Sequence, residues 1–409
     1  MGDTVRRPGW PGRGGDPTGG FKNLQWYFYH QGAVVYFAAF SRDAYDAAGL
    51  SRLTRRVLEV APHLTGLPPD KPVNDAMIED IVDVRSVTDF VGMPDGVLDE
   101  VGLPAQTHLP LFRAVAFVRE HGPDADGRRS FLMFCATHAL AEGADSSKIA
   151  RSQAASHDAA TQSGHPLGPM DWLSGAGFAI GQILVSRLYT PHADRIGHVS
   201  IALDRVRLAA LAHQMGVSQR ALFMAFAARA ITGAGTPWGK RRVSIVYPSL
   251  GKDGPSDGFL RMRIRYLHVA SKPTFADFAS ALALAVDRNE ERPDGYSKAA
   301  AIAVHRRLAG RMPWLYSPRL FRYWPYDVVF SLLTPHELTG SLTDGMMEPI
   351  YCGANTPGTN GCDVVPGRTV VTFNFHVEVS RIAQIRAAAE EFTALVAEPM
   401  AGVRVLLAS

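Results

Sequence analysis

The run Arg129-Ser-Phe-Leu-Met-Phe-Cys-Ala-Thr-His-Ala-Leu-Ala-Glu-Gly-Ala-Asp145 sets a histidine, a carboxylate and a glycine directly after an almost unbroken apolar segment. Phe131 to Ala136 predicts a short strand buried on both faces, and Gly143 ends the pattern. His138 then stands where the strand leaves the core. Asp145 or Ser146 supplies the N-cap of a following helix by accepting a hydrogen bond from its open amides. Imidazole titrates near neutral pH, so a histidine at such an exit suits removal of a proton from a hydroxyl, amine or thiol and its later return. The alternative is a core histidine whose ring is satisfied by its neighbours.

Thr137-His138-Ala-Leu-Ala-Glu142-Gly143 resembles the His-His-x-x-x-Asp-Gly signature of acyltransferases related to chloramphenicol acetyltransferase. That superfamily includes peptide synthetase condensation domains and the wax ester synthase/diacylglycerol acyltransferases. The resemblance implies that His138 is the general base and that Glu142, standing for the Asp, shapes the loop through an ion pair. Thr137 stands for the first His. Pro110-Leu111-Phe112-Arg113 is similar to the Pro-Leu-Trp motif of the wax ester synthase branch, with a structural role. Gly216-Val217-Ser218-Gln219-Arg220 is similar to a helix start in which Asn-Asp follows Gly-Val-Thr-Val, here with Gln219 and Arg220 in the Asn-Asp positions. Asp327 to Pro335 is similar to the branch's Val-Val-Ser-Asn-Val-Pro-Gly segment but departs at the turn. In order of elements the resemblance runs from about Leu24 to the C-terminus.

The fold this implies is α/β, with two chloramphenicol acetyltransferase-like subdomains forming a pseudo-dimer and a tunnel between them that meets at His138. The expected division is a flexible tail over 1–20, an N-terminal subdomain over 21–176 carrying the His motif, a crossover linker over 177–198 and a C-terminal subdomain over 199–409. A chain of 409 residues is long enough for two such cores. Hydrophobic residues make up 46% and charged residues 20%, an ordinary globular balance, and the formal net charge is +3 with no basic block, which excludes nucleic acid as a partner. Cys135, Cys352 and Cys362 lack zinc spacing and read as reduced thiols, a Cys352–Cys362 pairing being the alternative. Met1 to Gly20 has no signal-peptide core, and no run reaches the roughly 18 to 20 apolar residues of a membrane span, so a cytoplasmic protein is expected.

Along the chain, Val34 to Phe40 predicts a strand, with His30 at its polar entry. Leu50 to Ala61 predicts a helix stopped by Pro62, and Ile78 to Val87 an extended segment. Leu109 to Val118 is a strand that returns through Glu120 to Arg129. Ala150 to Ala176 reads as a surface loop, and His157, His165, His192 and His198 as solvated loop histidines without metal spacing. Val199 to Leu203 opens the second half, with helices Arg205 to Gln214 and Ser218 to Ile231. Then come strands Arg242 to Tyr247 and Met262 to Val269 and helix Phe275 to Arg288. The turn from Pro248 to Gly254 lacks the P-loop order. Ala299 to Tyr326 interleaves arginines with Trp314, Tyr316, Phe321 and Trp324. It reads as an amphipathic helix packed on the domain or as an interfacial segment that holds an acyl chain or rests on lipid. An irregular loop is expected up to Gly367, then a strand Thr369 to Val379 in which His376 is structural, then a closing helix Ile382 to Leu395.

The resemblance implies an acyltransferase moving an acyl group from a thioester, acyl-CoA above all, to a hydroxyl acceptor such as a lipid alcohol. No acyl-enzyme forms and no cofactor is tightly bound, so acyl-CoA or an acyl-carrier thioester enters as co-substrate. A condensation-type enzyme of natural product biosynthesis, acylating an amine or hydroxyl from a carrier protein, is the runner-up. A non-catalytic binding homologue is the third reading. Membrane contact is at most peripheral, and no metal site is expected.

Overall fold

The computed structural model describes residues 27, 31–65, 73–93, 95, 112–138, 169–188, 196–234, 241–250, 262–290, 297–312, 314, 326–333, 345–356 and 358–397. In chain order the first half gives β1 (Val34–Ser41), α1 (Ala47–Val60), α2 (Asp75–Ile81), β2 (Val82–Val87), β3 (Phe112–Arg119), β4 (Ser130–Thr137) and α3 (Pro169–Leu188). The second half gives β5 (Ile196–Asp204), α4 (Arg205–Gln214), α5 (Gln219–Thr232), β6 (Arg242–Leu250), β7 (Met262–Ala270), α6 (Phe275–Glu290) and α7 (Ser297–Arg311). It continues with β8 (Val328–Leu332), β9 (Met346–Asn355), β10 (Gly361–Pro366), β11 (Val370–Glu378) and α8 (Ile382–Ala397).

The strands form two sheets, ordered β2-β3-β4-β1-β9 and β5-β11-β10-β8-β6-β7. At the centre of the first, β1 runs antiparallel to β4 with Val34 opposite Thr137 and Tyr36 opposite Cys135. The unbroken apolar character of these strands follows from burial on both faces. One face packs Val35, Phe37, Leu132 and Phe134 beneath α1 and α2, and the other packs Tyr36, Phe40, Phe131 and Met133 in a separate core. Asp46 caps α1 by accepting the Gly49 N–H at 2.6 Å, and Asn74 caps α2 by accepting the Met77 N–H at 2.9 Å. The Asn74 cap carries Ile78 to Ile81 into a helical turn, so the extended segment expected from Ile78 begins only at Val82.

The second sheet carries α4, α5, α6 and α8. α5 is apolar around most of its circumference because it lies inside this core: Phe226 stacks on Phe392 of α8 at 4.2 Å and meets Phe373 of β11 edge-on at 5.0 Å. Ser218 caps it through the Ala221 N–H at 3.2 Å. Arg220 serves packing: its guanidinium lies 4.9 Å from the Tyr247 ring and donates to Glu290 at 2.6 Å and to the Pro248 carbonyl at 3.0 Å.

Two expectations are corrected. Helix α3 runs from Pro169 to Leu188, so its first two turns occupy a stretch up to Ala176 in which Ser, Gly, His and Pro suggested a surface loop. The stretch before Gly367, expected to be irregular, contains β9 and β10. β9 belongs by sequence to the second half, yet it pairs with β1 of the first sheet, Val34 opposite Asn355 and Tyr36 opposite Gly353. It is also the seam between the sheets. Asn374 of β11 donates its side-chain amide to the Cys352 carbonyl at 3.1 Å and to the Asp363 carbonyl at 3.3 Å. Glu348 of β9 accepts the Thr369 N–H at 2.9 Å and the Thr369 hydroxyl at 2.7 Å. The tail over 1–20 lies outside the described residues, as does His30.

Candidate active site

β4 is flanked by β3 and β1, and its buried run from Phe131 to Ala136 delivers Thr137 and His138 to one end of the first sheet. The His138 backbone N–H donates to the Ala33 carbonyl at 2.9 Å, which continues the β1–β4 ladder one residue past Thr137 and fixes the root of the side chain. Both residues are half-buried, so a reactant that reaches this end of the sheet can reach them. Phe112 at the start of β3 and the closing residues of β9 stand at the same end by register. Glu142 and Gly143 of the motif lie outside the described residues.

The row behind this end runs Arg113, Cys135, Tyr36, Gly353 across four strands. Arg113 donates to Asp83 at 2.9 Å. Burial pushes the Cys135 thiol up to about 12, only partly opposed by Arg113, so Cys135 is unsuited to act as a thiolate nucleophile. None of the three cysteines is in a disulfide, and all three are buried, as the reduced-thiol reading requires.

A second group of polar side chains lies where this row meets the second sheet, and the sequence reading did not assemble it. Asp363 of β10 accepts the Ala354 N–H at 2.9 Å, and its carboxylate stands 3.5 Å from His376 Nδ1. Burial raises Asp363 to about 7, with the Ala354 and Ser331 hydrogen bonds pulling the other way. Burial and the neighbouring His198 lower His376 to about 3. The contact is therefore not an ion pair at neutral pH, because His376 is uncharged there. The Tyr36 hydroxyl is held well above its usual range by burial and then by Asp363. His198 is a correction: it is buried in β5, edge-on to Tyr36 at 6.2 Å, not a solvated loop residue. His157, His165 and His192 lie outside the described residues.

Close approach at this seam is permitted by two glycines. A Cβ on Gly353 would come within 2.6 Å of Asp363 Oδ2 and 2.8 Å of the Tyr36 hydroxyl, and a Cβ on Gly361 would run into the His376 ring. The signal in the sequence was a lone Asp363 among the apolar residues of β10, and Thr372, Asn374 and His376 alternating with apolar residues along β11, a pattern that marks buried polar groups with partners elsewhere in the fold. Among the described residues no group of three or more His, Cys, Asp or Glu is placed to hold a metal ion.

Solved structures share this architecture. The first condensation domain of the calcium-dependent antibiotic synthetase, in complex with a substrate analogue, aligns over 92% of this chain and 94% of its own, with 12% identity and a TM-score of 0.51. The wax ester synthase/diacylglycerol acyltransferase from Marinobacter aquaeolei VT8 aligns over 92% of this chain and 98% of its own, with 14% identity and a TM-score of 0.56. The EpoB cyclization-docking bidomain from Sorangium cellulosum aligns over 93% and 85%, with 13% identity and a TM-score of 0.53. No protein-family model matches the sequence, and no curated protein matches it. The chain therefore has the two-part α/β fold of condensation domains and of a wax ester synthase/diacylglycerol acyltransferase.

Proposed function

We propose that the protein is an acyltransferase that moves an acyl group from a thioester, acyl-CoA in the first instance, to a hydroxyl acceptor, with His138 as general base. The observation that carries this reading is the seat of His138 at the exit of the central strand β4, half-buried and anchored through Ala33, in a fold shared with acyl-transferring proteins. In this scheme the His138 ring removes the acceptor's proton as its oxygen attacks the thioester carbonyl. The carbon–sulfur bond then breaks, and the ring returns the proton to the departing thiolate. No covalent acyl-enzyme forms, in keeping with the buried, poorly acidic Cys135. Donor and acceptor reach His138 through a passage between the two sheets. Thr137 and Glu142 hold the motif, and acyl-CoA is a co-substrate, not a bound cofactor.

A second reading is favoured by the likeness to condensation and cyclization domains: the donor is an acyl group on a carrier protein, and the acceptor an amine or hydroxyl. One assay tests both. Thiol release from a panel of acyl-CoAs with alcohol and amine acceptors is followed for wild type and His138→Ala. The expected outcome is acceptor-dependent release that falls by about a hundredfold or more in the variant, the range of a general base. Equal rates would overturn the role of His138. Turnover with carrier-bound donors alone would select the second reading, and none with either donor would select a binding homologue.

A further inference from the structure

Helix α3 is apolar almost all round, but only one side of it is packed. Gly175, Ala179, Gln182 and Ile183 are buried. On that side His305 of α7 meets the Gln182 side chain at 3.0 Å, and Gln182 donates to the Tyr27 hydroxyl at 3.3 Å. This buried polar contact fixes which side of α3 faces inward. At 100° per residue, Met170, Leu173, Phe178, Ile180, Leu184 and Val185 then fall on one outward arc roughly 160° wide along a helix roughly 30 Å long. Four of them, Met170, Leu173, Ile180 and Leu184, are 53 to 74% exposed, and no charged side chain interrupts the helix between Asp171 and Arg187. Isolated exposed apolar residues are ordinary, but six gathered on one helical face, with the small Gly177 and Gly181 set among them, mark a contact surface.

Its neighbour supplies the charge. From Ser297 to Tyr326 the chain carries Lys298, Arg306, Arg307, Arg311, Arg319 and Arg322 and no acidic residue. The Arg307 guanidinium lies 5.2 Å from the ring of Trp172, the residue before Leu173, so cation and apolar face meet at the N-terminal end of α3. Arg307 and Arg311 are exposed, and Trp314 just beyond them is 72% exposed. An apolar helical face, cations at its border and an outward tryptophan are the three elements of an interfacial lipid contact. A second copy of the chain would meet the same cations with its own.

We propose that the outer face of α3, together with Arg307, Arg311 and Trp314, docks the protein on an anionic lipid surface. No helix among the described residues is long and apolar enough to cross a membrane, and the contact proposed is one along the surface. It stands independently of the acyl-transfer reading.

Cosedimentation of the full chain with vesicles tests it, using phosphatidylcholine mixed with phosphatidylserine and phosphatidylcholine alone, at low and high salt. The expected result is binding to the mixed vesicles that weakens with salt and with removal of phosphatidylserine. Leu173→Ser with Leu184→Ser should lower the partition by at least about tenfold, since each loses a leucine's worth of apolar burial. Arg307→Gln with Arg311→Gln should remove the preference for phosphatidylserine. All these side chains except that of Arg307 touch little, so an unchanged unfolding midpoint accompanies the expected loss. The readout is pelleting and does not depend on turnover. Failure to pellet with mixed vesicles, equal binding to phosphatidylcholine alone, or self-association abolished by the double serine variant without vesicle binding would each overturn the proposal.

Discussion

The carboxylate of Asp363, in the second sheet, accepts the backbone N–H of Ala354, in the first, at 2.9 Å. Ala354 belongs to β9, which pairs with β1 beside the strand that leads to His138, so one part-buried hydrogen bond ties the second sheet to the strands that place the candidate base. Removing it leaves a partly buried amide without its acceptor. Asp363→Ala should destabilise the protein by about 1 to 3 kcal/mol, and Asp363→Asn, which keeps an acceptor oxygen, by distinctly less. Denaturant melts of the two variants check the difference.

The pH dependence of stability has two opposed contributions at this seam. Asp363 titrates at about 7 in the fold against 3.8 for the ordinary group, so its stabilising contribution is full below about pH 4 and is lost as pH rises through 7. His376 titrates at about 3 against 6.5, so its contribution is present above about 6.5 and is lost as pH falls towards 3. Between about pH 4 and 6.5 the two slopes, each about 1.4 kcal/mol per pH unit, cancel. Stability of Asp363→Asn should therefore rise with pH across that window relative to wild type, and that of His376→Gln should fall. Parallel profiles for all three proteins would show that neither group titrates in this way.

Gly361→Ala sets a methyl group against the His376 ring in the pairing between β10 and β11. Overpacking of this kind costs about 1 to 3 kcal/mol. Combining it with His376→Ala should recover part of the loss, because the clash is with that ring, and a double-mutant cycle measures the coupling.

The thiols offer a check on burial. With Cys135 raised to about 12 and Cys362 held well above the usual thiol range, both by burial, Ellman's reagent should label neither in the folded protein at pH 8. Cys352, buried in β9, should resist with them, and all three should react once denaturant is added.

What could be read from the chain was whatever local periodicity dictates. The apolar run Phe131–Ala136 became β4, Pro62 ended α1, Ser218 capped α5, and the helix from Arg205 ran to Gln214, each because a residue and its neighbours within one turn determine the outcome. The resemblance of Thr137-His138 to a known signature pointed to the two-part α/β fold that the solved structures share.

The seam had no such local signal. Gly353 and Gly361 look like loop residues because glycine usually marks a turn, but here each gives up its side-chain space to Asp363, Tyr36 or His376 from another strand. The start of α3 likewise looked like surface loop, since its glycines fit a helix only where it packs on α7. By itself the sequence determined the segments with a clear local period, such as β1, β4, α1, α4 and α5, and which histidine stands at a strand exit, because those follow from contacts a few residues long. Only the tertiary structure decided that β9 crosses into the first sheet and that Asp363 and His376 are buried together, both uncharged between about pH 3 and about pH 7. Those properties depend on desolvation by groups hundreds of residues apart in the chain, which no local pattern records.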